Sequence, residues 1–294
     1  MTEIDLPDAP IKIAVIGGSG LYNMPEITDL ETYQIDTPFG VPSADITVGT
    51  LRGKRVAFLP RHGVGHVKSP ASIPQRANIY ALKMLGVRFC LAINACGSLR
   101  EDYAPGHIVV PDQLFDYTIG TRDRSFFEDG IVAHVSVAQP FDDVLRNIMA
   151  DAIEAVGGVV HSSGTFLIED GPRFATRAES RIFRNWGCDI IGMTTAPEAF
   201  LAREAEMAYA TMAHITDYDV WHDHPVTVEM VTATFQRNIT LAQQALAKAV
   251  EILDADMVTP SHSALDGAIM TSHDKMPADL IVRLKPIIGR TLGL

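Results

Sequence analysis

Cysteine is scarce in this sequence: Cys90, Cys96 and Cys188 are the only three in 294 residues. Their spacing matches no zinc or redox motif, and their apolar neighbours read as reduced, buried thiols. A disulfide framework is excluded, and the cytoplasm is the expected compartment. Long apolar runs are missing too; none reaches the ~18 residues needed to span a bilayer. The N-terminal stretch MTEIDLPDAP is acidic and polar, so no secretory signal is expected there. Positive charge is in short supply, with 24 Lys and Arg against 36 Asp and Glu and a net charge of −12. That argues against a general nucleic-acid binder, which needs a basic face. It also makes any local cluster of cations informative, because an anionic ligand must be drawn in against the mean field. Low-complexity linkers and internal repeats are absent, so the whole of 1–294 reads as one domain.

What the sequence has is alternation. Short β-branched runs at 11–18, 44–60, 88–97, 107–117, 164–171, 188–195 and 209–217 predict strands, with the run 44–60 folding into two strands joined near Gly53. Between them, helical patterns cover 75–85, 141–156, 176–186, 197–207 and 226–253. Strands alternating with helices predict an α/β domain with a central sheet. After Thr259 the periodicity fades, and 260–294 reads as a tail or a partner-covering arm.

In open α/β sheets ligands sit beyond the carboxyl ends of strands. Those ends read GGSG, LPRHG, NACGS, EDGPRF, GMTTAPE and TDYD. IGGSGLY (16–22) offers backbone amides and the Ser19 hydroxyl; it is neither a P-loop nor a dinucleotide fingerprint, and a tight structural turn accounts for it equally well. In LPRHGVGHVKSP, Arg61 presents a planar fork suited to phosphate and His62 a further donor, unless the loop is simply solvated. His62 and His66 are four apart, but the intervening glycines oppose a helix and hence a metal pair. His222 and His224 are a similar distraction. In INACGSLRED, Asn94 offers a small polar side chain; Cys96 reads as buried and inert. Thr194, ahead of Pro197, is either a helix cap or an anion-binding hydroxyl. Together Ser19, Arg61, His62, Asn94 and Thr194 are compatible with a phosphate site, and no Mg²⁺ motif accompanies them. The stretch HITDYDVWHDH ends an apolar strand in Asp217, Tyr218 and Asp219. In an extended chain Asp217 and Asp219 share one wall; the plain alternative is a solvated loop.

These motifs are similar to those of the 5′-methylthioadenosine phosphorylases, in the purine nucleoside phosphorylase family. The resemblance runs from about 11 to 255 through IGGSGLY, DTPFGVPS, RHG, QRANIYALK, ACGSLRED, EDGPRFATRAES, WGCDIIGMTTAPEAFLAREAEMAYA and TDYDVW. It implies a distorted mixed sheet wrapped by helices, assembled as a trimer or hexamer. It implies phosphorolysis of a methylthio nucleoside without metal or cofactor, with inorganic phosphate as co-substrate. Residues matching the family's phosphate ligands are Ser19, Arg61, His62, Asn94, Ala95 and Thr194, with Asn94 standing where Thr is usual. Met193 matches a ribose contact, Phe174 an aromatic near the base, and His134 a histidine donated to the neighbouring subunit. Val228 matches a residue lining the 5′-methylthio pocket. Ala175 stands where animal relatives carry Ser, which bears on selectivity between adenine and hypoxanthine. Asp217, Tyr218 and Asp219 would meet the base, with Asp217 as proton donor to N7 and Asp219 as acceptor from the 6-amino group.

Three rivals remain on sequence grounds: a 6-oxopurine or 5′-methylthioinosine phosphorylase, a hydrolytic nucleosidase, and a nucleoside-binding protein without turnover. No nucleic-acid or membrane partner is expected.

Overall fold

The computed structural model describes residues 6–18, 24–120, 122–128, 130–222 and 228–294, the side chains of 230–233 and 235–238 excepted. Ser19 and His224 therefore lie outside the described residues.

The first buried run forms β1 (Ile13–Gly17). Next comes β2 (Thr28–Tyr33), a strand no hydrophobic pattern announces because almost every one of its residues is exposed. The pair expected around Gly53 is β3 (Ile46–Leu51) and β4 (Lys54–Pro60), turned by Arg52 and Gly53 at positive φ. α1 (Gln75–Met84) leads into β5 (Phe89–Ser98). The run 107–117 is broken at Pro111 into β6 (Ile108–Val109) and β7 (Gln113–Asp116), as a proline that cannot donate to a ladder would dictate. α2 (Asp143–Ala155), β8 (Val160–His161), β9 (Thr165–Ile168), α3 (Arg177–Asn185), β10 (Ile190–Gly192), α4 (Thr195–Glu204), β11 (Ala208–Asp217), α5 (Val228–Ile252) and α6 (Ala278–Leu292) complete the order.

The sheet runs β2-β3-β4-β1-β5-β10-β9-β7, mixed in direction, with β11 also on β5, followed by β6 and β8. One apolar core joins α1, α4 and α6 to one face, and a second joins α2 and α5 to the other. β5 is the hinge of the design. Its first half lies parallel to β1 as far as Ala92, opposite Ile16. Its last two residues pair antiparallel with β10, at Gly97 and Ser98. Between them the edge of β5 facing away from β11 has left one strand and not yet met the next. This split opens a crevice at the carboxyl ends of β1, β4 and β11.

The segment after Thr259 differs from its sequence-based reading as a tail or arm. α6 buries Leu284, Ile287 and Ile288 in the first core, and Tyr80 donates a 2.6 Å hydrogen bond to the Arg283 carbonyl. Arg290 pairs with the buried Glu206. Its helical period was hidden by Pro286 in mid-helix and by the irregular stretch 260–277 that precedes it. Residues 268–271 also pair with the loop carrying His134: His134 N–H donates to the Ala268 carbonyl, and Met270 N–H to the Val132 carbonyl.

Candidate active site

The crevice is a cavity of about 380 Å³, within the range of small-molecule sites. Its wall gathers Gly18, Arg61, His62, Asn94, Ala95, Phe174, Met193, Thr194, Asp217 and Asp219 from six separate stretches of chain. Most of the residues singled out in the sequence thus meet in one place. Tyr218, His134 and Val228 do not join them. Tyr218 turns away, its hydroxyl donating to the Glu101 carbonyl at 3.3 Å and its ring stacked on His222. His134 and Val228 are exposed on this chain, outside the cavity wall. Ala175 is buried just behind the wall.

One end of the cavity carries Arg61, His62, Asn94 and Thr194. Arg61 is only 2% exposed, and its fork does not point into the open as a phosphate-binding fork would. Nε and Nη2 grip Glu198 at 2.7 and 2.8 Å, and Nη1 donates to the Ile93 carbonyl at 2.9 Å. Arg61 therefore lines the cavity from a fixed position, its charge partly balanced by a fully buried carboxylate. Tyr209 donates a further 2.7 Å hydrogen bond to Glu198. His62 also departs from its expected role as a donor. Its Nδ1 bonds to the Lys68 carbonyl at 2.9 Å, and burial lowers its pKa to about 4. A neutral ring donating through Nδ1 leaves Nε2 as an acceptor, suited to the hydroxyl of a protonated phosphate.

Thr194 is no helix cap: its side chain accepts no backbone N–H of α4. Instead it accepts from the Asn94 amide at 2.8 Å, while Asn94 Oδ1 accepts from Thr211 at 2.6 Å. Engaged there as an acceptor, the Thr194 hydroxyl retains one proton to donate. Asn94 thus sets the direction of that donor. Asn94→Ala should raise the Michaelis constant for phosphate about tenfold, the scale of one misdirected hydrogen bond, and change nucleoside binding little. An unaltered phosphate dependence in steady-state kinetics would show that Asn94 only fills space.

The other end is acidic. Asp217 and Asp219 share one wall, as expected, but not by extension of the strand. β11 ends at Asp217, and Asp219 sits in a tight turn with φ 52°. The Asp219 N–H donates to Asp217 Oδ1 at 2.8 Å, and Thr216 donates to Asp217 Oδ2 at 2.7 Å. Thr216 Oγ also lies 3.2 Å from the Cys96 carbonyl, so its single proton has a second acceptor. Asp219 Oδ2 is buried with no hydrogen-bond partner. Burial raises the pKa of both acids, Asp219 to about 6, where the Ser180 hydroxyl and Val220 N–H pull down and the Asp217 charge pushes up; the bonds from Thr216 and Asp219 N–H hold Asp217 back. The pair rests against Gly97, where a Cβ would come within 3.0 Å of Asp217 Oδ1 and 3.2 Å of Asp219 Cβ. Cys96 lies beside them, but burial pushes its thiol far up, which removes it as a nucleophile.

Sequence reasoning missed three residues. Glu198 looks in sequence like an ordinary acid in the first turn of a helix, although it anchors Arg61. Arg122, 8% exposed, donates to the carbonyls of Met193 and Ala196 at 2.7 Å and of Asp170 at 2.8 Å, tying together the loops after β9 and β10. Glu169 lines the cavity as a third carboxyl. Nothing in the local sequence flags Arg122, and Glu169 at the head of EDGPRF has no sequence neighbour that sets it apart from a surface acid. Among the described residues no group of three or more His, Cys, Asp or Glu could hold a metal ion. No described helix is long and apolar enough to cross a membrane.

Known proteins are similar to this chain in sequence and fold. Residues 12–251 match the family model of the phosphorylase superfamily. The S-methyl-5′-thioadenosine phosphorylase of Chloroflexus aurantiacus is 53% identical over 280 residues, spanning 95% of this chain and 97% of its own. Among solved structures, a methylthioadenosine phosphorylase from an antarctic soil metagenomic library superposes with a TM-score of 0.91 at 43% identity, covering 95% of this chain and 99% of its own. A variant of the adenosine/methylthioadenosine phosphorylase from Schistosoma mansoni, in complex with methylthioadenosine, gives a TM-score of 0.79 at 36% identity, over 84% of this chain and 93% of its own. Sequence and fold agree: the chain belongs to the phosphorylase superfamily.

Proposed function

We infer that this chain catalyses the phosphorolysis of 5′-methylthioadenosine, in which inorganic phosphate displaces adenine and leaves 5-methylthioribose 1-phosphate. One observation carries the reading: a buried acid pair and the strand-end polar groups of Arg61, His62, Asn94 and Thr194 line a single cavity. Breaking the N-glycosidic bond makes the sugar an oxocarbenium-like cation and the purine an anionic leaving group. Phosphate held by Thr194, His62 and the Asn94–Ala95 edge of β5, in the field of the Arg61 charge behind them, stabilises the cation and then bonds to C1′. The acid pair gives one proton to N7.

Proton placement follows from the hydrogen bonds. Before substrate binds, the proton resides more readily on Asp219: burial and the Asp217 charge raise its pKa to about 6 even with the Ser180 hydroxyl and the Val220 N–H acting on it, and its Oδ2 lacks a close donor. The 6-amino group of adenine supplies that donor, favours ionised Asp219 and shifts the shared proton to Asp217. Thr216 then turns its hydroxyl to the Cys96 carbonyl, which frees Asp217 Oδ2–H for N7. The pair titrates as one unit.

A 6-oxopurine nucleoside is the second reading. A 6-keto oxygen against ionised Asp219 sets acceptor against acceptor, at a cost of roughly 1–3 kcal/mol. Ala175 offers no hydroxyl to relieve it.

The assembly we infer is a homo-oligomer, a trimer or hexamer, in which His134 of a neighbouring copy closes the sugar end and Val228 faces the thioether. Supporting it, both residues stand exposed on one chain, and Phe115, Tyr117, Ile182 and Trp186 form an exposed apolar group on the β7–α3 side. Three buried, free cysteines fit a cytoplasmic setting.

A nucleoside panel with and without phosphate tests the activity. Adenine release from 5′-methylthioadenosine should require phosphate and should exceed release from adenosine in kcat/KM. Phosphate-independent release would make the protein a nucleosidase. A preference for adenosine would remove the methylthio pocket from the reading.

A further inference from the structure

The acid pair leaves one carboxyl of the cavity without a role. Glu169 follows β9 directly, is 7% exposed, and lines the cavity beside Phe174 and Asp219. Its backbone is fixed on both sides: its N–H donates to the Gly192 carbonyl at 2.9 Å, and its own carbonyl accepts from Arg122 at 3.4 Å. A carboxyl held in this way is placed, not adrift.

Its surroundings give it an order along the wall. Of the like charges, Asp219 acts most strongly on Glu169, whereas Asp219 is acted on by Asp217, whose Oδ1 its N–H meets at 2.8 Å. The three acids therefore follow one another as Asp217, Asp219, Glu169. Facing Glu169 from α3 and its approach are Arg173, Glu179 and the Ala175 N–H. Arg173 is engaged by Glu179 in a two-pronged ion pair of 2.7 and 2.8 Å, so it does not neutralise Glu169 directly. Three carboxylates in one small cavity cannot all ionise cheaply. Burial, then Asp219, raise the pKa of Glu169 to about 7.

A purine presents its groups in the matching order: N7, the 6-substituent, N1. We propose that Glu169 is a third base-recognition residue, which reads N1 and changes its preference with its protonation state. As an acid, Glu169 donates to the bare N1 of adenine. As a carboxylate it accepts from the N1–H of a 6-oxopurine and repels the N1 lone pair of adenine. The proposal rests on the purine nucleoside reading of the site and deepens it: base selectivity becomes a function of pH, with adenine favoured below neutrality and hypoxanthine gaining above it.

The experiment compares kcat/KM for 5′-methylthioadenosine and 5′-methylthioinosine between pH 5.5 and 8, below the ionisation of hypoxanthine N1–H. In the wild type the adenine-to-hypoxanthine ratio should fall roughly tenfold to a hundredfold across a midpoint near 7, the scale of one buried hydrogen bond made or lost. Glu169→Gln keeps the shape but does not titrate, and its ratio should lose that transition while any titration of the acid pair near pH 6 persists. A wild-type ratio flat in pH, or a transition that survives in Glu169→Gln, overturns the proposal. Should Glu169→Gln prove unstable, adenine and hypoxanthine affinities of the wild type over the same pH range decide the matter, flat affinities refuting it. Failure of the underlying reading looks different: neither nucleoside would release its base in a phosphate-dependent way at any pH.

Discussion

Asp217→Asn should lower kcat/KM for 5′-methylthioadenosine by roughly the 10²–10⁴-fold that accompanies loss of a general acid. The amide keeps the shape and can still accept from the Asp219 N–H, which now holds Asp217 Oδ1 at 2.8 Å. It cannot deliver a proton to N7. Its NH₂ can, however, donate to a 6-keto oxygen, so 5′-methylthioinosine should lose much less or gain. Asp219→Asn should act in the same direction but less completely, because it alters the partner of the 6-amino group and leaves the N7 donor in place. Measuring both nucleosides with both variants separates the two roles. An adenine-to-hypoxanthine ratio unchanged by Asp217→Asn would mean that the base is recognised elsewhere in the cavity.

That the two acids act together was legible in the sequence; how they meet was not. Spacing of two along a strand suggested side-by-side carboxyls, yet the strand stops at the first of them and a left-handed residue brings the second round. The strand-end rule located the cavity because glycines and small polar residues cluster where β1, β4, β5 and β10 run out. It could not say what each group does there. Asn94 looked like a ligand in its own right, and only the tertiary contact with Thr194 and Thr211 makes it the setter of another donor. Glu169 and Glu198 share a composition with dozens of surface acids. What distinguishes them is burial, which a local window does not report.

The fold shows the same division. Strands with a buried face were found because hydrophobic periodicity is a record of burial. β2 buries almost nothing and left no record, and α6 buries one narrow stripe across a proline that reads as a helix breaker. Both are stabilised by contacts far away in sequence: β2 by pairing with β3, α6 by the cores of α1 and α4.

Arg61→Ala should unfold the protein at a temperature lower by on the order of 10 °C, before any question of phosphate arises. Removing one partner of a buried ion pair costs about 3–5 kcal/mol, since the other charge stays buried and uncompensated; each kcal/mol moves Tm by about 2–4 °C in chains approaching this size. Here the abandoned group is Glu198, fully buried and held otherwise by the Tyr209 hydroxyl. The loss of phosphate binding in Arg61→Ala would therefore be read through a damaged fold. A paired change resolves this. Arg61→Met with Glu198→Gln removes both charges and keeps an acceptor for Tyr209, so thermal unfolding should return most of the way to wild type. If Arg61 also serves phosphate, the double variant should still show a strongly raised phosphate KM with nucleoside affinity little changed. Recovery of both Tm and phosphate KM would assign Arg61 to architecture alone, and leave the anion to Thr194, His62 and the backbone of β5.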